Sequence, residues 1–217
     1  GPIDYNRFKR IIIQNGNTVA LTDDPLARDL AVSSGGTLNA GASAVCISRS
    51  FFNDGTFDAQ SSTIGFNSRE AGSVIAGSVI PTFNNLDINV DAGGLQLLGD
   101  VNLKGVLYPN GGNLVINGQT LTLLSDATGT ASIGAFKGSA DILGDITLER
   151  HIPSEAQNWV NMGSPLTGTT IASWNDDIVT TGFAGSDYEL YPWNNIQKYD
   201  ETVLGALNDG WENTGNV

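Results

Sequence analysis

Apolar residues along this chain come in short runs separated by Gly, Asn, Ser and Thr, and the runs recur at a fixed interval. Asn17-Thr18-Val19, Gly36-Thr37-Leu38 and Gly55-Thr56-Phe57 stand 19 residues apart, each followed by a polar break and another apolar stretch. The second and third units match further: Gly36-Thr37-Leu38-Asn39-Ala40 leads to Ala44-Val45-Cys46-Ile47, and Gly55-Thr56-Phe57-Asp58-Ala59 leads to Ser62-Thr63-Ile64-Gly65-Phe66. A period near 20 that links whole units is the mark of a solenoid, in which each repeat buries its apolar side against its neighbours.

Beyond residue 70 the spacing loosens while two-residue alternation continues in Leu86-Asp87-Ile88, Leu95-Gln96-Leu97, Val101-Asn102-Leu103, Leu114-Val115-Ile116 and Leu121-Thr122-Leu123. Each is a strand signal. Gly93-Gly94, Gly99-Asp100, Asn110-Gly111-Gly112 and Asn117-Gly118 separate them, too many turns for a sandwich of ordinary strands. Coils of three short strands fit better, and the pattern predicts a mainly β chain with a right-handed parallel β-helix over residues 10–150. A β-sandwich stays open as the alternative, because Asn-Gly between alternating runs also reads as a hairpin.

Asp141 to Arg150 reads as a last strong strand before His151-Ile152-Pro153, where a proline without a backbone donor marks a boundary. All four tryptophans, Trp159, Trp174, Trp193 and Trp211, follow it. Three segments are therefore expected: a lead-in over 1–9, the solenoid over 10–150, and an acidic, Trp-containing β-rich capping or accessory module over 151–217, ending incomplete. Gly1-Pro2 reads as the remnant of tag removal, and so the chain as a fragment.

Composition narrows the partners. There are 23 acidic and 10 basic residues, a net charge of −13, and residues 151–217 keep only Lys198 against nine acids. Such a balance opposes nucleic acid, which needs a basic face, and no apolar run is long enough to insert this stretch into a membrane. Cations are the better expectation. The lone Cys46 excludes an internal disulfide and reads as a small core residue.

Asn15-Gly16-Asn17-Thr18-Val19, Gly35-Gly36-Thr37-Leu38-Asn39-Ala40-Gly41, Asn53-Asp54-Gly55-Thr56-Phe57, Thr82-Phe83-Asn84-Asn85-Leu86-Asp87-Ile88 and Gly118-Gln119-Thr120-Leu121-Thr122-Leu123 resemble the β-helical passenger regions of large surface proteins of Bacteroidota. The order Gly144 to Pro153, Trp159, Gly163-Ser164-Pro165, Trp174-Asn175-Asp176-Asp177 and Gly182 to Tyr188 is similar to a module that recurs in them. The resemblance implies export by the type IX secretion system, an extracellular or cell-surface location, and a role in adhesion or in spacing a distal domain. It brings no catalytic motif.

Candidate chemistry concentrates near the C-terminus. Asp176, Asp177 and Asp187 lie in an acidic, turn-rich stretch of the kind that supplies hard oxygens to Ca²⁺, although their spacing matches no EF-hand loop. Tyr188, Tyr191 and Trp193 offer ring faces to a sugar. A solvated acidic surface and an aromatic core are the plainer readings of the same residues. Asp23-Asp24 before Pro25 reads as a turn. Arg28, Arg49 and Arg69, about 20 residues apart, are placed to stack but meet no acids at matching intervals. Thr18, Thr37 and Thr56 form one column, too narrow for an ice-ordering array. His151, the only histidine, lacks the nucleophile motif of a hydrolase. The expectation is a non-enzymatic surface scaffold or adhesin segment contacting a surface glycan or another cell-surface protein. The alternative is a carbohydrate-binding or polysaccharide-degrading β-helix.

Overall fold

A computed structural model describes residues 10–91 and 93–151, together with two short strands, Gln197–Tyr199 and Trp211–Asn213, that pair antiparallel. The chain divides into two compact units, Gly1–Ala156 and Gln157–Val217. The first is a parallel β-solenoid of about seven rungs, and no helix occurs among the described residues.

Rung one holds β1 (Ile11–Ile13) and β2 (Thr18–Ala20); rung two, β3 (Leu26–Val32) and β4 (Thr37–Asn39); rung three, β5 (Ala44–Asn53) and β6 (Thr56–Asp58). From rung four the long strand splits in two. Rung four holds β7 (Thr63–Ser68), β8 (Ser73–Ala76) and β9 (Thr82–Phe83), and rung five β10 (Asn85–Val90), β11 (Leu95–Leu97) and β12 (Val101–Leu103). Rung six holds β13 (Val106–Gly111), β14 (Asn113–Val115) and β15 (Leu121–Leu123), followed by a small hairpin, β16 (Ser125–Asp126) with β17 (Gly129–Thr130). Rung seven holds β18 (Ser132–Ile133), β19 (Asp141–Leu143) and β20 (Thr147–Leu148).

Stacking these rungs makes three faces. The first runs through the front halves of β3 and β5, then β7, β10, β13 and β18. The second runs unbroken through seven strands: β1, the back halves of β3 and β5, then β8, β11, β14 and β19. The third is two separate ladders, β2-β4-β6 and β9-β12-β15-β20. Side chains alternate along each strand, so Val, Ile, Leu and Phe from all three faces meet in one core running from Ile13 to Leu123.

The 19-residue period is the register itself, with Thr18 paired to Thr37 and Thr37 to Thr56. Glycine precedes the second and third of these threonines because the rungs approach closely there. A Cβ on Gly36 would lie 2.7 Å from the Ile13 carbonyl oxygen, and one on Gly55 would collide with the Ser33 carbonyl oxygen. Asn17 is tolerated at the same place in rung one, the first rung of this ladder. The corner before β5 and the corner before β7 also repeat: Gly41 (φ 61°) and Gln60 (φ 48°) both take the left-handed conformation. The backbone N–H of Ser43 donates to Ala40, and that of Ser62 to Ala59. Gln60, which lacks glycine's freedom there, is held by the Asp58 carboxylate, which accepts from its backbone N–H (3.2 Å) and its side-chain amide (3.1 Å).

The third face breaks between rungs three and four. Gly77–Ile80 detours over the end of β5, where Asn53 accepts from the Val79 N–H (3.0 Å) and donates its side-chain amide to the Val79 carbonyl (3.0 Å). With the ladder interrupted, rings fill the gap. Phe51, Phe57 and Phe83 meet with centroids 5.1, 5.3 and 5.5 Å apart in edge-on and tilted pairs, a geometry in which the positive edge of one ring faces the negative face of another.

Two expectations need correction. Asp141 to Arg150 is not one strand: β19 and β20 lie on different faces, because the rung must turn at Gly144-Asp145 to close around the core. Cys46 is not a core residue either. It pairs with Leu26 and Gly65 on the outer side of the first face and is half-buried, while its neighbours Val45 and Ile47 point inward.

Close rung stacking makes a specific demand. Gly55→Ala is expected to lower unfolding free energy by about 2–3 kcal/mol, since backbone cannot yield as a flexible side chain would. Gly129→Ala, whose Cβ would meet open space, is expected to change it by less than about 0.5 kcal/mol. Urea denaturation of both variants checks the contrast.

Candidate functional site

A solenoid of this kind presents its chemistry on the outer sides of its faces, and the three differ. On the third face the outward positions are Thr37, Asn39, Thr56 and Asp58 on one ladder and Thr82, Asn102, Thr122 and Thr147 on the other. These are short, uncharged side chains for the most part.

The first face carries interlocked amides. Asn85 donates to the Thr63 hydroxyl (3.2 Å) and accepts from the Val106 N–H (2.9 Å), tying three rungs together. Asn110 donates to the Asp87 carboxylate at 2.7 Å. One outward column runs Cys46, Gly65, Asp87, Tyr108. Gly65 leaves a notch in it, with no side chain between the thiol and the carboxylate. Burial, with a smaller contribution from the Asp87 charge, pushes the Cys46 thiol up, which keeps it protonated and a poor nucleophile near neutral pH. Tyr108 is 37% exposed. A planar ring beside a carboxylate and amides can hold hydroxyl-rich ligands, while general acid-base cleavage of a glycoside needs a second carboxylate, and Asp87 is the only one in this column.

The second face turns two largely apolar columns outward, together with polar Asn113 and Asp141. One outward column runs Ile12, Ala31, Phe52 and Ala76 by direct pairing. Leu98 follows in rung five, its N–H donating to the Ile75 carbonyl at 2.8 Å. A second column runs Val74, Gln96, Val115, Leu143. Leu98 is 57% exposed, Ile12 48% and Leu143 43%, and Val79 and Ile80 stand exposed on the neighbouring detour. The Arg10 guanidinium lies over the Phe52 ring, 5.5 Å from its centroid.

The residues singled out from sequence fall as follows. Asp176, Asp177, Asp187, Tyr188, Tyr191 and Trp193 lie outside the described residues. Among the described residues no cluster of three or more His, Cys, Asp or Glu is placed to hold a metal. Arg28 and Arg49 sit at the register shift where the first face bends into the second, and Arg69 follows β7 on the exposed side. Asp24 acts as a turn cap across rungs, accepting from the Ala44 N–H at 2.7 Å. Thr18, Thr37 and Thr56 do form one column. His151 is exposed and donates its backbone N–H to the Ser125 hydroxyl (2.9 Å). The adjacent Asp126 carboxyl is held below its ordinary range, first by the Thr128 hydroxyl and backbone N–H and last by the His151 charge.

Sequence reading missed the outward apolar columns of the second face, for which the signal was partial. Some of its strands are unbroken apolar runs, Ile11-Ile12-Ile13, Val74-Ile75-Ala76 and Leu114-Val115-Ile116, but β11 alternates as Leu95-Gln96-Leu97, and the first face has a run of its own in Ala44-Val45-Cys46-Ile47. An unbroken run marks a strand apolar on both sides.

Asp54 tests how the detour beside this face is held. Its carboxylate accepts from both the backbone N–H and the hydroxyl of Ser78, each at 2.8 Å, and the backbone bond first and the hydroxyl second hold its carboxyl below the ordinary range. The resulting stabilisation is full above the unfolded carboxyl value of about 4 and fades as pH falls through the lowered folded value. Ser78→Ala is expected to move the Asp54 midpoint upward toward that of a free aspartate, as read by an NMR titration of its side-chain carbon.

No known family model, no curated protein and no solved structure matches this chain. The chemistry of the three faces is what a functional reading rests on.

Proposed function

We propose that the chain is a non-enzymatic segment of an extracellular scaffold or adhesin, a passenger region of a Bacteroidota surface protein exported through the type IX route, which spans distance and presents a contact surface. The observation that supports this is the run of seven rungs sharing one core. At about 4.8 Å per rung it extends about 30 Å, and each rung interface carries backbone hydrogen bonds on more than one face, so axial load is shared between ladders. Its partner on this reading is a surface glycan or another cell-surface protein. Beads coated with the purified chain are expected to be retained under flow on glycan- or cell-coated surfaces, while bare beads wash through. Retention no better than bare beads would overturn the adhesive role.

A second reading, glycan binding or cleavage, is favoured by Tyr108 beside Asp87 and its Asn110 partner on the first face. Release of oligosaccharides from a polysaccharide by the purified chain, abolished by Asp87→Asn, would replace the scaffold reading with an enzymatic one.

Calcium belongs to the proposal through Asp176, Asp177 and Asp187. Ca²⁺ at 100 times its dissociation constant would stabilise the unit that holds it by about 2.7 kcal/mol. The expected outcome is a thermal midpoint that rises with millimolar Ca²⁺ over chelator, with the gain lost when all three are changed to Ala. An unchanged midpoint removes the ion.

A further inference from the structure

Rungs five, six and seven fall out of step at one place on the first face. Ile88 pairs with Pro109 but Asn89 pairs with Gly111, so Asn110 is an extra residue opposite rung five. On its other side, the Leu107 carbonyl accepts from the Gly134 N–H (2.8 Å) and the Pro109 carbonyl from the Lys137 N–H (3.0 Å). Rung seven thus takes three steps where rung six takes two, opposite a proline that has no N–H with which to hold it in register. Bulges re-aim side chains. The first bulge turns Asn110 onto Asp87, to which it donates at 2.7 Å, and the second carries Phe136, which is 50% exposed.

Tyr108 and Phe136 are the only exposed aromatic side chains among the described residues, and they stand on adjacent rungs at this double bulge. Phe51, Phe52, Phe57, Phe66 and Phe83 are all buried or half-buried. The column through Tyr108 runs Gly65, Asp87, Tyr108, Gly134, with a glycine at each end, so no side chain closes over the ring and the carboxylate along it. A Cβ on Gly134 would already come 3.4 Å from Cδ1 of the Tyr108 ring.

We propose that this double bulge is a subsite for a pyranose unit of a neutral glycan, with the Tyr108 and Phe136 rings meeting the C–H face of the sugar and the Asp87–Asn110 pair binding its hydroxyls. An aromatic face is apolar and carries partial negative charge, which suits the C–H groups on one side of a sugar ring. Asp87 uses Oδ1 to accept from Asn110, leaving Oδ2 for a sugar hydroxyl, and the Asn110 side-chain carbonyl accepts another. Charge selects the sugar class. Lys137, at the register of Asn110, offsets Asp87, and the chain as a whole, at −13, repels uronates and sulfates. The subsite rests on the glycan reading above and supplies its location and sugar class, with or without cleavage.

Native affinity electrophoresis of the full chain, in gels holding mannan, laminarin or hydroxyethyl cellulose and in a gel holding polygalacturonate, tests it. At least one of the three neutral polysaccharides is expected to retard the chain, and the acidic one to leave it unretarded. On that neutral polysaccharide Tyr108→Ala and Phe136→Ala are each expected to weaken binding about tenfold, and Asp87→Asn about fivefold. Tyr108→Phe, which keeps the ring, is expected to stay within about threefold, and Thr122→Ala on the third face to leave binding unchanged. Circular dichroism melts confirm that each variant is folded, since Tyr108 and Phe136 are exposed and lie outside the core. No retardation by any of the three neutral polysaccharides overturns the proposal, and so does equal retardation by polygalacturonate. Retardation that is indifferent to both ring variants overturns this subsite but leaves the glycan reading standing, whereas failure of wild-type beads to hold on glycan-coated surfaces under flow overturns that reading itself.

Discussion

The regularity of the solenoid follows from one requirement, that each rung hydrogen-bond to the next at the spacing of paired strands, about 4.8 Å. At that distance no side chain can be accommodated where backbones cross, which is why Gly36 and Gly55 stand under the carbonyls of Ile13 and Ser33. The same requirement makes like residues stack. Thr18, Thr37 and Thr56 share a column, Gly41 and Gln60 share a corner conformation, and Asn85 joins Thr63 below to Val106 above. Where the ladder is interrupted, at Gly77–Ile80, other forces take over: Asn53 and Asp54 hold the detour by side-chain hydrogen bonds, and three phenylalanine rings occupy the gap.

The fold was legible because the stacking requirement writes a period into the sequence. The 19-residue spacing of the first three units became the register of β2, β4 and β6, and the short alternating runs after residue 70 became strands of successive rungs. Less legible were features set by rung closure rather than by stacking. Asp141 to Arg150 has the look of a single strand, but a rung must turn within that length, and it does so at Gly144-Asp145. Cys46 lies in a run, Ala44-Val45-Cys46-Ile47, where inward and outward residues are all apolar or small, so composition could not say which way the thiol faces; its register with Gly65 does.

Function was harder to read, for a physical reason. Outward residues of a solenoid are released from the packing that disciplines inward ones, so their pattern emerges only once the register is known. Ile12, Phe52 and Leu98 are far apart in sequence and none is unusual alone. Set in rungs one, three and five with Ala31 and Ala76 between them, they become a corrugated strip. The unequal rung lengths hide this from inspection, because Phe52 to Ala76 spans 24 residues while Ala31 to Phe52 spans 21.

The outward sides of the first and second faces are different solutions to the same problem. A β-face in water is stabilised when its outward groups either hydrate well or bond to one another, and the first face does the second: Asn110 to Asp87 and Asn85 to Thr63 convert outward positions into cross-rung ties. The second face forgoes these ties. Gln96 alone in its column makes one, accepting from Asn117 at 2.8 Å, while Val74, Val115 and Leu143 contribute nothing that hydration would favour. Seven continuous strands do not need side-chain ties to keep register, since backbone bonds and the inward Leu30, Phe51, Ile75, Leu97 and Leu114 already hold it. Outward positions on that face are therefore free of a structural duty, and apolar Val115 and Leu143 stand beside polar Asn113 and Asp141 without disturbing the register.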